Sequence, residues 1–163
     1  MVYEPGVKIA FDVSPLSHPA LGIGNYLRGA LGGLAETSAG KHELVAFAVT
    51  SLRGPERIRE ALAGVDVELR TWRVPASHVA RTAWSRAQML AAERLLGEFD
   101  VFHFSDWMYP PQRGGVRATT IYDLVPLHFR EWVTPRTYAM HARKYANAAA
   151  TCDVVFAISE YTA

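Results

Sequence analysis

The chain has 163 residues, half of them hydrophobic and a fifth charged, a composition typical of a folded α/β domain with a sizeable core. Its 17 lysines and arginines against 16 acidic residues leave a net charge of +1, which gives no bulk attraction for nucleic acid. The single cysteine, Cys152, excludes an internal disulfide and fits a reducing compartment. No apolar run approaches the roughly 20 residues of a membrane span, and no secretory signal pattern opens the chain. We therefore expect one cytoplasmic domain over residues 1–163.

Short apolar segments alternate with amphipathic segments along the chain. The predicted strands are residues 7–13, 43–50, 65–74, 100–104, 117–122 and 153–158. The predicted helices are residues 25–38, 55–63, 77–96 and 135–150. The second strand is apolar almost throughout, as in a parallel sheet covered on both faces, and the alternation favours right-handed βαβ units. This pattern predicts an α/β fold with a Rossmann-like open, mainly parallel twisted sheet and helices on both faces.

The last five residues, 159–163, begin like a capped helix and stop within one turn. We therefore expect the chain to be part of a longer protein.

In an open parallel sheet, ligands bind where the strands end at their carboxyl edge. The segments that leave the predicted strands at that edge are rich in aromatic, hydroxyl and carboxylate side chains, which suit the faces and hydroxyls of a sugar. The predicted acceptor-binding residues are His103, Ser105, Asp106, Trp107, Tyr109 and His128. Two alternatives stay open: Trp107 and Tyr109 could simply cover the sheet edge, and His103 could be a structural histidine within its strand.

A glycine turn, Gly22-Ile23-Gly24, opens the first predicted helix. Its backbone N–H groups and the helix dipole could bind a phosphate, although a plain tight turn explains it too. The turn lacks the dinucleotide fingerprint, because Leu27 replaces the third glycine and Thr50, not an acidic residue, ends the second strand. Nicotinamide cofactors are therefore not expected.

Metal and hydrolase patterns are also missing from the sequence. His103, His128 and His141 do not share the spacing of metal ligands, and no G-x-S-x-G or phosphate-binding loop occurs. We expect no metal site and no cofactor.

Three segments carry a resemblance to a known family. Residues 9–16 with 22–27 (IAFDVSPL, GIGNYL), residues 119–127 (TTIYDLVPL) and residues 152–162 (CDVVFAISEYT) occur in order and at matching distances. Together they resemble the N-terminal domain of the retaining family 4 nucleotide-sugar glycosyltransferases of the GT-B fold. In that family two Rossmann-like domains face each other. The N-terminal one binds mainly the acceptor, and the C-terminal one, absent from this chain, binds the nucleotide-sugar.

The resemblance implies roles for particular residues. Gly22, Ile23 and Gly24 match the turn that lies close to the donor diphosphate. Tyr122 and Asp123 match the catalytic "H-D" pair, with tyrosine in place of histidine, so a role that needs imidazole does not carry over. The implied activity is hexosyl transfer, with retention and without an enzyme nucleophile, from a nucleotide-sugar donor to a sugar, glycan or lipid-carrier acceptor. The isolated chain is expected to be inactive.

Two further interpretations stay open. One is a non-catalytic Rossmann-like module that binds its own ligand. The other is peripheral contact with the inner face of a membrane through the predicted helix 77–96, which carries Arg81, Arg86 and Arg94 beside Trp84 and Met89. Residues at helical spacing are also what a helix with one core face and one solvated face would show.

Overall fold

Six parallel strands form one open sheet in the computed structural model, which describes residues 6–19, 22–38, 40–105 and 107–163. The strands are β1 (Lys8–Asp12), β2 (Glu43–Thr50), β3 (Glu68–Arg73), β4 (Val101–Phe104), β5 (Val116–Ile121) and β6 (Val154–Ala157). Their spatial order is β3-β2-β1-β4-β5-β6, and every neighbouring pair is parallel. The predicted α/β fold class is confirmed, and the winding reverses between β1 and β4.

Helices connect the strands. They are α1 (Gly22–Ser38), α2 (Gly54–Ala61), α3 (Ser77–Ala87), α4 (Glu93–Leu96), α5 (Val125–His128) and α6 (Pro135–Thr151), with 3₁₀ turns at Ser14–Ser17 and Arg130–Trp132. Residue types explain several of their boundaries. The Thr134 side chain caps α6 by accepting a hydrogen bond from the Thr137 N–H at 3.1 Å, and Pro135 occupies the first turn. α1 begins at Gly22, three residues before its predicted start.

The core lies on both faces of the sheet. In β2, Val45, Phe47 and Val49 belong to one cluster and Ala46 and Ala48 to the other, and all five are buried. The first cluster is completed by side chains of α3 and α4, including Trp84 and Leu96. The second is completed by Leu31 of α1 and Ile58 of α2. The side chains of the continuous apolar run in β2 therefore point alternately to the two faces of the sheet, and both faces are covered.

The predicted helix 77–96 is wrong as a single element. α3 ends at Ala87 and Gln88 adopts a left-handed backbone with φ of 53°. The chain turns there because the following residues bind the loop after β4. The Gln88 side-chain amide donates to the Tyr109 carbonyl at 3.0 Å, and the Ala92 N–H donates to the Pro111 carbonyl at 2.8 Å. Tertiary hydrogen bonds thus override helical periodicity.

This break also divides the surface proposed for membrane contact. Arg81 and Arg86 lie on α3, Arg94 lies on α4, and Trp84 is buried against Phe47 and Trp72. Met89 remains, 88% exposed in the turn between the two helices.

Gly115 is a position where the backbone conformation and a close contact both require glycine. It precedes β5 with φ of 74°, and an added Cβ would lie 2.7 Å from the Asp100 carbonyl oxygen. We expect Gly115→Ala to lower the free energy of unfolding by about 2–4 kcal/mol, because left-handed strain of roughly 1–2 kcal/mol adds to a backbone clash. Gly29→Ala in α1 is the matched control. Its Cβ would meet nothing within 4 Å, and the change should add up to about 1 kcal/mol. Denaturant unfolding compares the two, and equal stabilities would contradict this account.

Candidate functional site

The ends of β1 and β4 are joined at the point where the winding reverses, which is where open α/β sheets bind ligands. Asp12 ends β1 and is fully buried, with one carboxylate oxygen accepting from the Ser14 N–H at 2.9 Å and from the Ser14 hydroxyl. The other oxygen accepts from the Ser105 hydroxyl at 3.0 Å. The Ser14 hydroxyl in turn accepts from the Val49 N–H at 3.0 Å in β2. One carboxyl group therefore joins the ends of three strands.

Opposing effects act on the pKa of Asp12. Burial raises the pKa of Asp12, while the hydrogen bonds from Ser14, the positive charge of Arg81 and the hydrogen bond from Ser105 lower it in part. Arg81 extends from α3 toward this region, and its Nε is buried with no hydrogen-bond partner among the described residues. Sequence reasoning missed both residues. In the sequence, Asp12 belongs to a predicted strand and to the first of the three motifs. Arg81 lies far from it along the chain.

Two predicted acceptor-binding residues lie within this buried layer. Ser105 has no exposed surface, and its hydroxyl also donates to the Asp12 carbonyl at 2.8 Å. His103 is 2% exposed and stacks on Phe11, with ring centroids 4.6 Å apart, while its Nε2 lies 2.8 Å from the Thr120 hydroxyl. Burial and the charge of Lys144 lower the pKa of His103 to about 4, so its ring is neutral near pH 7. Neither residue lines the cavities described next.

The first cavity, the tyrosine cavity, has a volume of about 50 Å³. It is lined by Ile23, Trp107, Tyr122, Asp123, His141, Lys144 and Tyr145. The structure therefore brings together four predicted site residues from three segments: the glycine turn, the loop after β4 and the loop after β5. The Tyr122 ring packs edge-on against Tyr26, with centroids 5.4 Å apart, and the Lys144 Nζ lies 5.5 Å from its centroid.

Helix α6 fixes the loop that carries Asp123. The Tyr145 hydroxyl donates to the Asp123 carbonyl at 2.7 Å and lies 2.8 Å from Nδ1 of His141. Burial, together with the charge of Asp123, raises the pKa of Tyr145 to about 12, so the phenol keeps its proton. Lys144 is 3% exposed and donates to the Thr120 carbonyl at 3.3 Å. The i, i+3, i+4 spacing of His141, Lys144 and Tyr145 was a signal that sequence reasoning did not use.

A second cavity, the helix-start cavity, has a volume of about 530 Å³. It is lined by Pro15, Leu16, His18, Pro19, Gly24, Asn25, Arg28, Arg57, Glu60 and Ala61. Gly24 is buried against Leu16, where an added Cβ would lie 3.4 Å from a leucine methyl carbon. Burial lowers the pKa of His18, and the charges of Arg81, Arg57 and His78 lower it further. The first turn of the 17-residue helix α1 thus borders a cavity that is lined by Arg28, Arg57 and Glu60.

A third cavity, the arginine cavity, has a volume of about 130 Å³ and lies between α3 and α6. It is lined by His78, Thr82, Ser85, Arg86, Trp107, Tyr109, Arg136, Ala139, Met140 and Arg143. Trp107 also lines the tyrosine cavity, so these two cavities are neighbours. Of the predicted acceptor-binding residues, Trp107 and Tyr109 line this cavity.

The remaining predicted residues lie elsewhere. Gly22 begins α1 on the surface, where an added Cβ would meet nothing within 4 Å. His128 ends α5, is exposed, and lines none of the three cavities. Asp106 lies outside the described residues.

The chain matches no known family model, no curated protein and no solved structure. The resemblance to glycosyltransferases therefore rests on the three short sequence motifs alone. Over the described ranges, no three histidine, cysteine, aspartate or glutamate side chains are placed to share a metal ion. In that same part of the chain, no helix has the length and apolarity needed to cross a bilayer.

The Asp12 carboxyl group should stabilise the fold mainly through its hydrogen bonds. We expect Asp12→Ala to lower the free energy of unfolding by about 2–4 kcal/mol, because the buried partners Ser14 and Ser105 lose their acceptor. Asp12→Asn is the matched control, because it keeps an acceptor oxygen toward Ser14.

The Asp12→Asn variant also tests whether the pKa of Asp12 is raised. A raised pKa gives a stabilising contribution that is complete below the ordinary value of 3.8 and is lost as pH rises through the folded value. The stability of Asp12→Asn relative to wild type should therefore increase as pH rises above 3.8. A relative stability that fell with pH would contradict this sign.

His103 should make the fold sensitive to acid. Its lowered pKa stabilises the folded state fully above 6.5, and this contribution is lost as pH falls toward and through about 4. The loss should amount to about 3 kcal/mol between pH 7 and pH 4, at roughly 1.4 kcal/mol per pH unit. Urea unfolding at a series of pH values should show that His103→Gln lacks this slope. His128→Gln, at an exposed position, should retain it, and identical slopes in both variants would rule the explanation out.

Proposed function

We propose that this chain is the acceptor-side domain of a retaining hexosyltransferase, which moves a sugar from a nucleotide-sugar to an acceptor hydroxyl. One observation supports this most strongly. Ile23 of the glycine turn lines the same cavity as Tyr122 and Asp123 of the second motif, although the two motifs are about a hundred residues apart. In the proposed enzyme a second domain would hold most of the nucleotide-sugar, and this chain would provide the opposite side of the cleft.

Asp123 is the residue suited to orient the acceptor. It is exposed, its backbone is fixed by Tyr145, and its side chain accepts from the Val125 N–H at 3.0 Å, which leaves the second carboxylate oxygen for a hydroxyl. Trp107 lines both this cavity and the arginine cavity, and in this proposal its indole contacts the sugar ring. Tyr122 lacks the imidazole of the family histidine, so in this proposal it acts by packing and hydrogen bonding.

The first turn of α1 and the cations around it suit the donor diphosphate. The helix-start cavity falls within the roughly 300–1,000 Å³ of typical ligand sites, and the cations Arg28 and Arg57 line it together with Glu60. Backbone N–H groups at the helix start and the two arginine side chains would stabilise the negative charge that develops on the departing diphosphate. The acceptor oxygen would bond to the anomeric carbon on the face that the diphosphate leaves. The hydroxyl proton would pass to the departing phosphate oxygen.

Asp123 provides the test in the protein expressed from its complete reading frame. We expect Asp123→Asn to lower kcat by about 100-fold or more, because the acceptor hydroxyl loses its charged partner. Tyr122→Phe should remain within about tenfold of wild type. Asp66→Asn, an exposed acid just before β3 at the opposite edge of the sheet, should keep full activity. Release of the nucleoside diphosphate across a panel of nucleotide-sugars and acceptors measures all three.

Failure in this assay has two forms. If the wild-type protein neither binds nor turns over any nucleotide-sugar, the proposal is wrong. If it binds a ligand at the same edge without turnover, the non-catalytic binding module replaces it.

A further inference from the structure

We propose that the arginine cavity binds a phosphate group carried by the acceptor. The assignment to an acceptor rests on the proposed function, whereas the phosphate site itself does not. In this assignment the phosphate binds between α3 and α6, the body of the acceptor lies against Trp107, and its reactive hydroxyl lies at Asp123. Trp107 makes this arrangement continuous, because it lines both the arginine cavity and the tyrosine cavity.

Two helical faces converge on this cavity. On α3, the lining residues are His78, Thr82, Ser85 and Arg86, and on α6 they are Arg136, Ala139, Met140 and Arg143. Spacings of three, four and seven residues place each set on one face of its helix. The floor is fixed, since Ser85 is 1% exposed and its hydroxyl accepts from the Tyr109 N–H at 3.0 Å.

Among the described residues, the charges that line the cavity are unbalanced. Three guanidinium groups line it, from Arg86, Arg136 and Arg143, and among the described residues no carboxylate lines it and no ion pair or hydrogen bond engages the three. Arginine stays protonated at any physiological pH, so the three charges repel one another until an anion enters. A chain whose net charge is +1 has no general excess of cations to explain this concentration.

Some arginines elsewhere in the chain are engaged in structure, whereas others, such as Arg59 and Arg94, are exposed and isolated from one another. Arg117 is buried and donates to the Pro110 carbonyl at 2.6 Å, and Arg70 pairs with Glu68 at 2.7 Å. The three cavity arginines have exposed side chains without such contacts, and they are therefore free to engage a ligand.

The size and charge favour a phosphate monoester. The cavity is well below the roughly 300 Å³ of a site for a whole ligand, so it suits one charged group rather than a complete molecule. A phosphate monoester carries about −1.5 to −2 charges and has three oxygens for paired guanidinium hydrogen bonds. Arg136 lies in the first turn of the 17-residue helix α6, whose dipole adds to the attraction.

Binding can be measured on the chain without any donor. We expect glycerol 3-phosphate to bind, glycerol not to bind, and added salt to weaken the interaction, as titration calorimetry at low ionic strength would show. The double variant Arg136→Gln/Arg143→Gln should weaken binding at least tenfold. Arg59→Gln/Arg94→Gln removes the same charge from exposed positions outside the cavity, and it should bind as wild type does. Unfolding curves verify that both variants fold.

A second arm identifies the source of the phosphate. Co-sedimentation with phosphatidic acid vesicles, compared with phosphatidylcholine vesicles, detects a lipid headgroup, and glycerol 3-phosphate detects a soluble phosphate. Either result supports the site if it depends on Arg136 and Arg143. The proposal is overturned if neither probe binds, or if both double variants bind equally well.

Transfer assays separate this inference from the proposed function. If the complete protein is a transferase, Arg136→Gln/Arg143→Gln should raise KM for a phosphorylated acceptor at least tenfold with little change in kcat. Phosphate binding without any nucleotide-sugar turnover would support the phosphate site and contradict the proposed transferase activity. Turnover with a KM that is the same in the double variant and in wild type would support the transferase activity and contradict the phosphate site.

Discussion

The buried carboxyl group of Asp12 is the constraint on which the rest of the sheet edge depends. It binds Ser14 and Ser105, and Ser14 binds the backbone of β2, so the ends of β1, β2 and β4 are held in one hydrogen-bonded unit. The loops that lead to α1 and to Trp107 both leave from this unit. The glycine turn and the loop after β4 both line the tyrosine cavity, through Ile23 and Trp107.

Charge is distributed in layers around this unit. The buried layer favours neutral forms, since burial raises the pKa of Asp12 and lowers that of His103. Above it, the cavities are lined by arginines from α1, α2, α3 and α6, which keep their charge under all ordinary conditions. Arginines at the rim place positive charge where an anionic ligand can reach it. The two anion sites proposed above, at α1 and at α6, both lie on this rim.

The fold could be predicted from sequence because strand burial and helix alternation are local signals, as the apolar run of β2 shows. The predicted helix 77–96 failed because the turn at Gln88 is set by contacts with residues 109 and 111, which no local pattern contains. In the site, the loops after β1, β4 and β5 were predicted, and Trp107, Tyr122 and Asp123 do meet. Arg81, Lys144 and Arg143 were missed because the approach of helix side chains to a strand edge depends on tertiary packing.

The residues that line the arginine cavity are different from those that pack the core, and this has a consequence for the evolution of the sequence. Arg136 and Arg143 of α6 are exposed, whereas the sheet is held by buried side chains such as Phe47 and Phe102. Substitutions on that helical face therefore cost little stability, while they alter the charge that an incoming molecule meets. A domain built in this way can change the ligands that it binds through a few surface substitutions and keep the same fold.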